Sequence, residues 1–484
     1  MRWSLRLHAG LGLALLLGLG ASVRSEDARF DPHRIVSPPL KPLHVPVPVR
    51  QELPNGVVVF LLEDHTFPVV NGTVYCPASP SLEPAARAGL AEMTGDLMRR
   101  GGSVAISGDS LDDRLAAIGA TVSTWISDEL GYAGFRCLRE NTDEVLGLFA
   151  DVVRRPAFPD DKLELVKLAK HQEIASRNDE VINVAFRLAN RAVYGKGTPW
   201  TQTAEHATVD AVQPEDCRRL HAQVFVPERL VIAVYGDFDT QKMSGRLTRA
   251  FADWKRSGTP TPAIPPLPAH AQHKLFFAAK DDVTQSVLLL ADLGHVVRDP
   301  DDAAMDVAVQ ALGGGGQSRL NRHIRTERGL AYSTGADAGA GYRWPGVFMA
   351  WSLTRNDSAL TALRLVRDEL EQIRVAPLGD EEFRTAKESV QNQFVFNYER
   401  RSSALFRAAY NQVLGYPADY LDRYQRALAE VTPDAAFAAA KRRIRPDEFS
   451  VIVVGKASEF EHPLEREGLP VERVDITIPP AKRH

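Results

Sequence analysis

Apolar residues in this chain change their period along its length. The stretch GVVVFLLEDHTFPVVNGTVYC (56–76) holds two runs rich in β-branched and aromatic residues with turn residues between them, and HKLFFAAKDDVTQSVLLLAD (273–292) repeats the arrangement. Each predicts a hairpin of two strands. Downstream of each lies a segment with apolar residues at i, i+3 and i+4, AARAGLAEMTGDLM (85–98) and DDAAMDVAVQAL (301–312), which is the spacing of an amphipathic helix. Both run into glycines, at 101–102 and 313–316, where a helix stops. Strand runs followed by helix runs predict an α+β fold: two tandem homologous domains, each a mostly antiparallel sheet with helices packed on one face.

Register supports the duplication. Pro227 and Pro446, and Gly236 and Gly455, stand 219 residues apart (446 − 227, 455 − 236), as do Pro214 and Pro433, and Asp161 and Asp380. Between the copies, KRSGTPTPAIPPLPAHAQH (255–273) is dense in proline and reads as an extended, semi-rigid linker. The expected organisation is a signal peptide over residues 1–25, an extension over 26–44, a first domain over 45–256, the linker over 257–272, a second domain over 273–462 and a tail over 463–484.

Composition narrows the function classes. A chain of 484 residues that is 44% hydrophobic and 25% charged is an ordinary globular protein, neither disordered nor fibrous. A net charge of -4 with no basic run offers no field for nucleic acid, so a peptide or protein partner fits better. At the N-terminus, Arg2 and Arg6 precede an apolar run from Ala9 to Ala21, then small residues suited to cleavage near Ala21 or Ser25. This reads as a secretory signal peptide, and the expected location is outside the cytoplasm, in a bacterial periplasm. An uncleaved anchor is the alternative, but the run falls short of the roughly 20 residues a membrane span needs. Cys76, Cys137 and Cys217 are scattered, without a C-x-x-C pair, and read as buried structural thiols.

The candidate chemistry lies in AGLAEMTGDLMRRGG (88–102). With the small-residue stretch ASPSLEP (78–84) before it, this helix resembles the pitrilysin, insulinase and mitochondrial-processing-peptidase family of zinc metallopeptidases, whose active helix carries the inverted motif H-x-x-E-H. The resemblance places Glu92 at the first histidine, Gly95 at the glutamate base and Asp96 at the second histidine. The family's third ligand, a glutamate after 76 intervening residues, falls on Glu173 in KHQEIASRNDE. Glu92 and Asp96 share a helix face, but three carboxylates make a poor zinc site and repel one another. Gly95 removes the proton acceptor, whose contribution to general-base catalysis is about 10² to 10⁴. These are degenerate positions, so no metal is expected in this chain; a hard cation such as calcium or magnesium on the carboxylates is the alternative. No replacement site is visible. The histidines form no i, i+4 pair, and His65, His270 and His273 fall in turn or linker segments where solvation is expected. The glycines of ALGGGGQSRL lack the Lys-Ser/Thr of a phosphate loop.

In the second half, QSRLNRHIRTERGLAYSTGADAG (317–339) resembles the family's best-kept C-terminal stretch. There the resemblance implies that Arg325 and Tyr332 hold the backbone of a peptide substrate beside the zinc. A forked guanidinium and a phenol suit a scissile carbonyl. The resemblance spans Val45 to Glu461. It implies a non-catalytic, substrate-binding subunit of a two-chain zinc peptidase, with zinc, water and base supplied by a homologous partner in a heterodimer and the peptide added as a strand to a sheet edge. The alternatives are an active metalloendopeptidase with an atypical site, and a non-enzymatic peptide-binding scaffold that pairs with itself as a homodimer. Neither nucleic acid nor a membrane beyond the signal peptide is expected as a partner.

Overall fold

The computed structural model describes residues 46–267, 272–396, 398 and 400–480. The expected signal peptide, the 26–44 extension and His270 lie outside the described residues. The first half contributes strands β1 (Val49–Glu52), β2 (Val58–Glu63), β3 (Val69–Pro77), β4 (Thr121–Ile126), β5 (Leu130–Leu138) and β6 (Val231–Gly236). The second contributes β7 (Leu275–Ala279), β8 (Gln285–Leu293), the short β9 (His295–Val296), β10 (Ala331–Asp337), the short β11 (Ala340–Gly341), β12 (Val347–Arg355), β13 (Ser450–Gly455) and β14 (Val471–Arg473). Apart from β9 and β11, which pair with each other in parallel, they form two six-stranded sheets, ordered β1-β2-β6-β3-β5-β4 and β14-β7-β13-β8-β12-β10. Five of the six positions follow the same order, while the outer edge is the first strand of its half in one sheet (β1, antiparallel to β2) and the last in the other (β14, parallel to β7). Most pairings are antiparallel; β2 with β6, β13 with β7 and β14 with β7 are parallel.

The expected hairpins are not hairpins. β2 and β3 run in opposite directions but do not touch, because β6 lies between them; β13 separates β7 from β8 in the same way. The reason is burial. Val231–Gly236 and Ser450–Gly455 are apolar on both faces and almost wholly buried, so each belongs in the middle of a sheet. These strands, like the helices at Pro214–Val224 and Pro433–Arg443, keep the spacing of 219 residues. The Asp161–Asp380 match is off by one, since the corresponding helices begin at Asp160 and Asp380.

The helices are α1 (Leu90–Arg100), α2 (Gly108–Ala117), α3 (Thr142–Arg154), α4 (Asp160–Ser176), α5 (Val181–Tyr194), α6 (His206–Asp210), α7 (Pro214–Val224), α8 (Thr240–Phe251), α9 (Asp302–Gly313), α10 (Ala359–Gln372), α11 (Asp380–Phe396), α12 (Arg401–Val413), α13 (Tyr420–Glu430) and α14 (Pro433–Arg443). One core lies between the first sheet and its own helices, around Leu97, Met98, Phe149 and Phe251; a second, around Leu312, Leu363 and Phe449, repeats it. The other face of each sheet is partly covered by a helix from the opposite half. Val184, Ala185, Ala189 and Val193 of α5 pack on Phe276, Val287, Leu289 and Ile452 of the second sheet. Leu405 and Ala409 of α12 pack on Phe60, Leu62, Val231 and Ala233 of the first. The two halves therefore exchange equivalent helices. The proline-rich stretch has no regular structure over 257–267 and is pinned to the first half, where the hydroxyls of Ser79 and Ser81 donate to the Ala263 carbonyl at 2.7 and 2.9 Å.

Candidate functional site

Helix α1 starts where Gly89 adopts φ 99°, a conformation that favours glycine. The Glu83 carboxylate then accepts from the backbone N–H groups of Gly89 at 2.9 Å and Ala91 at 2.7 Å, placing a negative charge on orphan donors at the positive end of the helix. Burial pushes the Glu83 carboxyl up from its ordinary value. One face of α1, with Leu90, Met93, Leu97 and Met98, enters the first core; Glu92 and Asp96 point the other way, as their spacing requires.

Gly95 sits where α1 touches β4. A methyl group there would stand 2.4 Å from the Ile126 nitrogen and 2.6 Å from the Trp125 Cα, and the Thr124 hydroxyl donates to the Gly95 carbonyl at 2.6 Å. The helix and the strand occupy the space that a side chain at the base position would need. Glycine here permits close packing of helix on strand, which outweighs its poor helix propensity.

Glu92 and Glu173 are brought together as the motif spacing implies, but through a third residue. The Lys170 Nζ donates to Glu173 Oε2 at 2.9 Å and to Glu92 Oε2. Only 10% of the Lys170 side chain is exposed. Burial by itself would lower its ammonium; the hydrogen bonds and charges of Glu92 and Glu173 outweigh that and hold it above the ordinary lysine value. Asp96 stands nearby, raised mainly by desolvation, with Arg100 and Lys170 opposing. These residues do not fit zinc. Imidazole donors are missing, and a fixed ammonium stands between the two glutamates where a cation would have to bind. Sequence reasoning did not identify Lys170. The signal was present: Leu163, Val166, Lys167, Lys170 and Ile174 form the buried stripe of α4, with lysine at two apolar positions.

Beside this bridge lies a cleft of about 380 Å³, lined by Glu92, Lys170 and Glu173 together with Asp128, Arg187 and Trp200. Burial raises Asp128, and the Glu92 charge adds to the effect. Arg177 and Arg187 also reach the cleft, but their guanidinium groups are engaged with the Ala204 and Arg177 carbonyls.

Arg325 and Tyr332 are not part of this cleft. Arg325 lies in a widened helical turn, Asn321–Thr326, in which the Glu327 N–H reaches the Arg322 carbonyl at 2.9 Å. Tyr332 lies at an irregularity in the pairing of β10 with β12 and is 73% exposed. The turn packs directly on β10, the edge strand of the second sheet, so both side chains are exposed on neighbouring elements.

His65 is exposed but not merely solvated, since its Nδ1 lies 2.6 Å from Asp237, a hydrogen bond that raises its pKa. His273 Nδ1 contacts the Phe449 carbonyl at 3.3 Å. His171 and His206 meet at 2.7 Å between Nδ1 atoms, while His171 Nε2 faces Asp210 at 3.0 Å, a pairing that i, i+4 spacing could not reveal. The two ring nitrogens of His171 thus serve different partners. Among the described residues, no group of three or more His, Cys, Asp or Glu side chains is arranged to hold a metal ion. Cys76, Cys137 and Cys217 are buried and unpaired; burial raises the Cys137 thiol to about 11. No described helix is long and apolar enough to cross a membrane.

Residues 58–204 match the profile of the insulinase family, peptidase family M16, and residues 211–390 match the M16 inactive domain. Among curated proteins, an uncharacterized zinc protease of Streptomyces coelicolor is 25% identical over 340 residues, covering 68% of this chain and 73% of its own. Another, from Mycobacterium bovis, is 24% identical over 426 residues, covering 83% of this chain and 92% of its own. Among solved structures, a peptidase M16 inactive domain from Pseudomonas fluorescens superimposes with a TM-score of 0.76 at 21% identity, over 84% of this chain and 98% of that one. A protease from Helicobacter pylori gives 0.74 at 17% identity, over 85% and 100%. The shared fold and the two matched profiles agree: the chain belongs to the insulinase family of M16 peptidases, with the metal helix altered in its first half and the M16 inactive domain in its second.

Proposed function

We propose that this protein is the non-catalytic, peptide-binding subunit of a two-chain zinc peptidase exported to the periplasm. The observation that carries this reading is the Lys170 ammonium between Glu92 and Glu173, next to a helix whose base position is closed by the backbone of β4. A fixed cation neutralises the two acids and leaves no vacancy for a metal. The cleft beside it remains, and so do Arg325 and Tyr332, both exposed as groups that meet a ligand or a second chain must be. In this reading a homologous partner supplies the zinc helix. Arg325 and Tyr332 donate hydrogen bonds to a peptide carbonyl held against the partner's site, and the unpaired edge of β10 accepts the peptide as an added strand.

The test is reconstitution. The purified chain should bind no stoichiometric zinc and cleave no unfolded peptide. Mixed with a homologous subunit carrying an intact H-x-x-E-H helix, it should raise peptide hydrolysis, and Arg325→Ala should lower kcat/KM of the mixture about 10²-fold, within the range for loss of one oxyanion donor. Chelator-sensitive hydrolysis by the isolated chain would overturn the reading.

A further inference from the structure

A second cavity, of about 210 Å³, lies in the other half, bordered by α9, α11, α12 and α13 and separate from the Lys170 site. Its wall carries the rings of Tyr342, Phe394, Tyr398, Tyr420 and Tyr424. Tyr420 meets Tyr424 at 6.4 Å between centroids, Tyr424 meets Phe394 at 5.1 Å and Phe394 meets Tyr398 at 5.3 Å, while Tyr416, behind the wall, joins Tyr342 at 5.8 Å to Tyr420 at 4.9 Å. Two acids on one face of α9, Asp302 and Asp306, line the same space. Each has one oxygen engaged: Asp302 Oδ1 lies 2.9 Å from His295 Nε2, and Asp306 Oδ2 accepts from the Tyr424 hydroxyl. Among the described residues, no donor bonds the second oxygen of either acid.

The charges are arranged along the cavity. Arg407 also lines it, and its Nη1 donates to the Tyr342 hydroxyl at 2.9 Å. Arg407 and Tyr342 are shared with an adjoining hollow of about 570 Å³. Asp306, Phe394 and Tyr424 are shared with a different hollow, of about 300 Å³. Asp306 thus marks one end and the Arg407 guanidinium the other. Aromatic faces beside carboxyl oxygens that no described donor bonds attract an organic cation, because ring quadrupole and charge act together in a partly desolvated space. Such a cation offsets the burial and the Asp302 charge that raise Asp306 to about 7. Rings supply no ligands for a hard metal ion, which needs six or more oxygens. The hollows on both sides leave room for a chain to continue in either direction, and Arg407 can donate to a main-chain carbonyl.

We propose that this cavity binds the ammonium or guanidinium of a basic side chain on an extended peptide, the cation standing against Asp302 and Asp306 within the tyrosine wall. The proposal concerns this chain alone and does not depend on a zinc-bearing partner, so its failure and that of the subunit reading are distinguishable.

The experiment is a binding comparison on the unaltered full chain. A fluorescein-labelled alanine-based decapeptide with one central arginine is titrated by anisotropy beside its twin carrying citrulline, the neutral isostere. The arginine peptide should bind at least tenfold more tightly, and Asp306→Asn should reduce that ratio to less than threefold. Free arginine methyl ester should compete only at far higher concentration than the unlabelled peptide. Equal affinity of the two peptides for the unaltered protein overturns the proposal whatever the variant does. Equal competition by the free ester overturns its assignment to a peptide.

Discussion

The Trp125 Cα would lie 2.6 Å from a methyl group placed on Gly95, closer than nonbonded carbons approach. Two effects of opposite sign meet at this position. Alanine is favoured over glycine within a helix by about 1 kcal/mol, whereas overpacking a well-filled contact costs about 1–3 kcal/mol. Because the obstructing atoms are backbone of β4, relief requires moving the strand, and the second effect should win. Gly95→Ala is expected to lower the urea unfolding midpoint. A higher midpoint would show that the strand yields.

Lys170 predicts how hard the metal site is to rebuild. Installing histidines at Glu92 and Asp96, with Gly95 left in place because β4 fills the space beside it, restores the donor types, but the Lys170 ammonium still stands beside Glu173. The double variant is expected to bind zinc poorly, and adding Lys170→Ala should increase zinc affinity at least tenfold, read by competition with a colorimetric chelator. Equal affinity with and without Lys170 would mean that the lysine moves aside freely.

The sequence carried the duplication and the altered motif because both are matters of spacing: Gly236 and Gly455 close equivalent strands, and Glu92 and Glu173 meet across two helices. It did not carry the insertion of β6 between β2 and β3, since apolar runs report burial but not which neighbours provide it. The helix exchange was hidden for the same reason. The stripe of α5 from Val184 to Val193 shows that it is buried without naming the sheet that buries it. Lys170 was hidden by its type, for a lysine in an amphipathic helix is read as a solvent-facing residue until its partners are known.

A pH effect on stability should come from His221. It is buried between Phe158 and Phe225, its Nε2 donates to the Val153 carbonyl at 2.8 Å, and burial lowers its pKa to about 4. The unfolded chain binds this proton near 6.5 and the folded chain only near 4, so between those values unfolding takes up a proton. Stability is full above about pH 6.5 and falls as the pH drops toward 4, by up to about 3 kcal/mol at 1.36 kcal/mol per pKa unit. His221→Gln should flatten this part of the profile of unfolding free energy against pH, even if it lowers stability overall. An unchanged slope would assign the proton uptake elsewhere.

The exchanged helices predict that neither half is independent. Leu405 and Ala409 of α12 are fully buried against Phe60, Leu62, Val231 and Ala233, residues more than 160 positions away in the chain. Removing the second half would expose this face of the first sheet, and removing the first half would uncover Phe276, Val287 and Leu289 in the same way. Fragments 46–267 and 272–480, expressed separately, should therefore be poorly soluble or loosely packed, and should regain cooperative unfolding when refolded together. A point change reads the same coupling in the intact chain. Leu405→Ala removes buried side-chain atoms and should cost about 2–5 kcal/mol. The informative readout is where amide protection falls in hydrogen exchange. If α12 holds the first sheet, protection should drop in β2 and β6, in the half of the chain opposite the substitution; if the loss is confined to residues after 272, the helix rests on that sheet without supporting it.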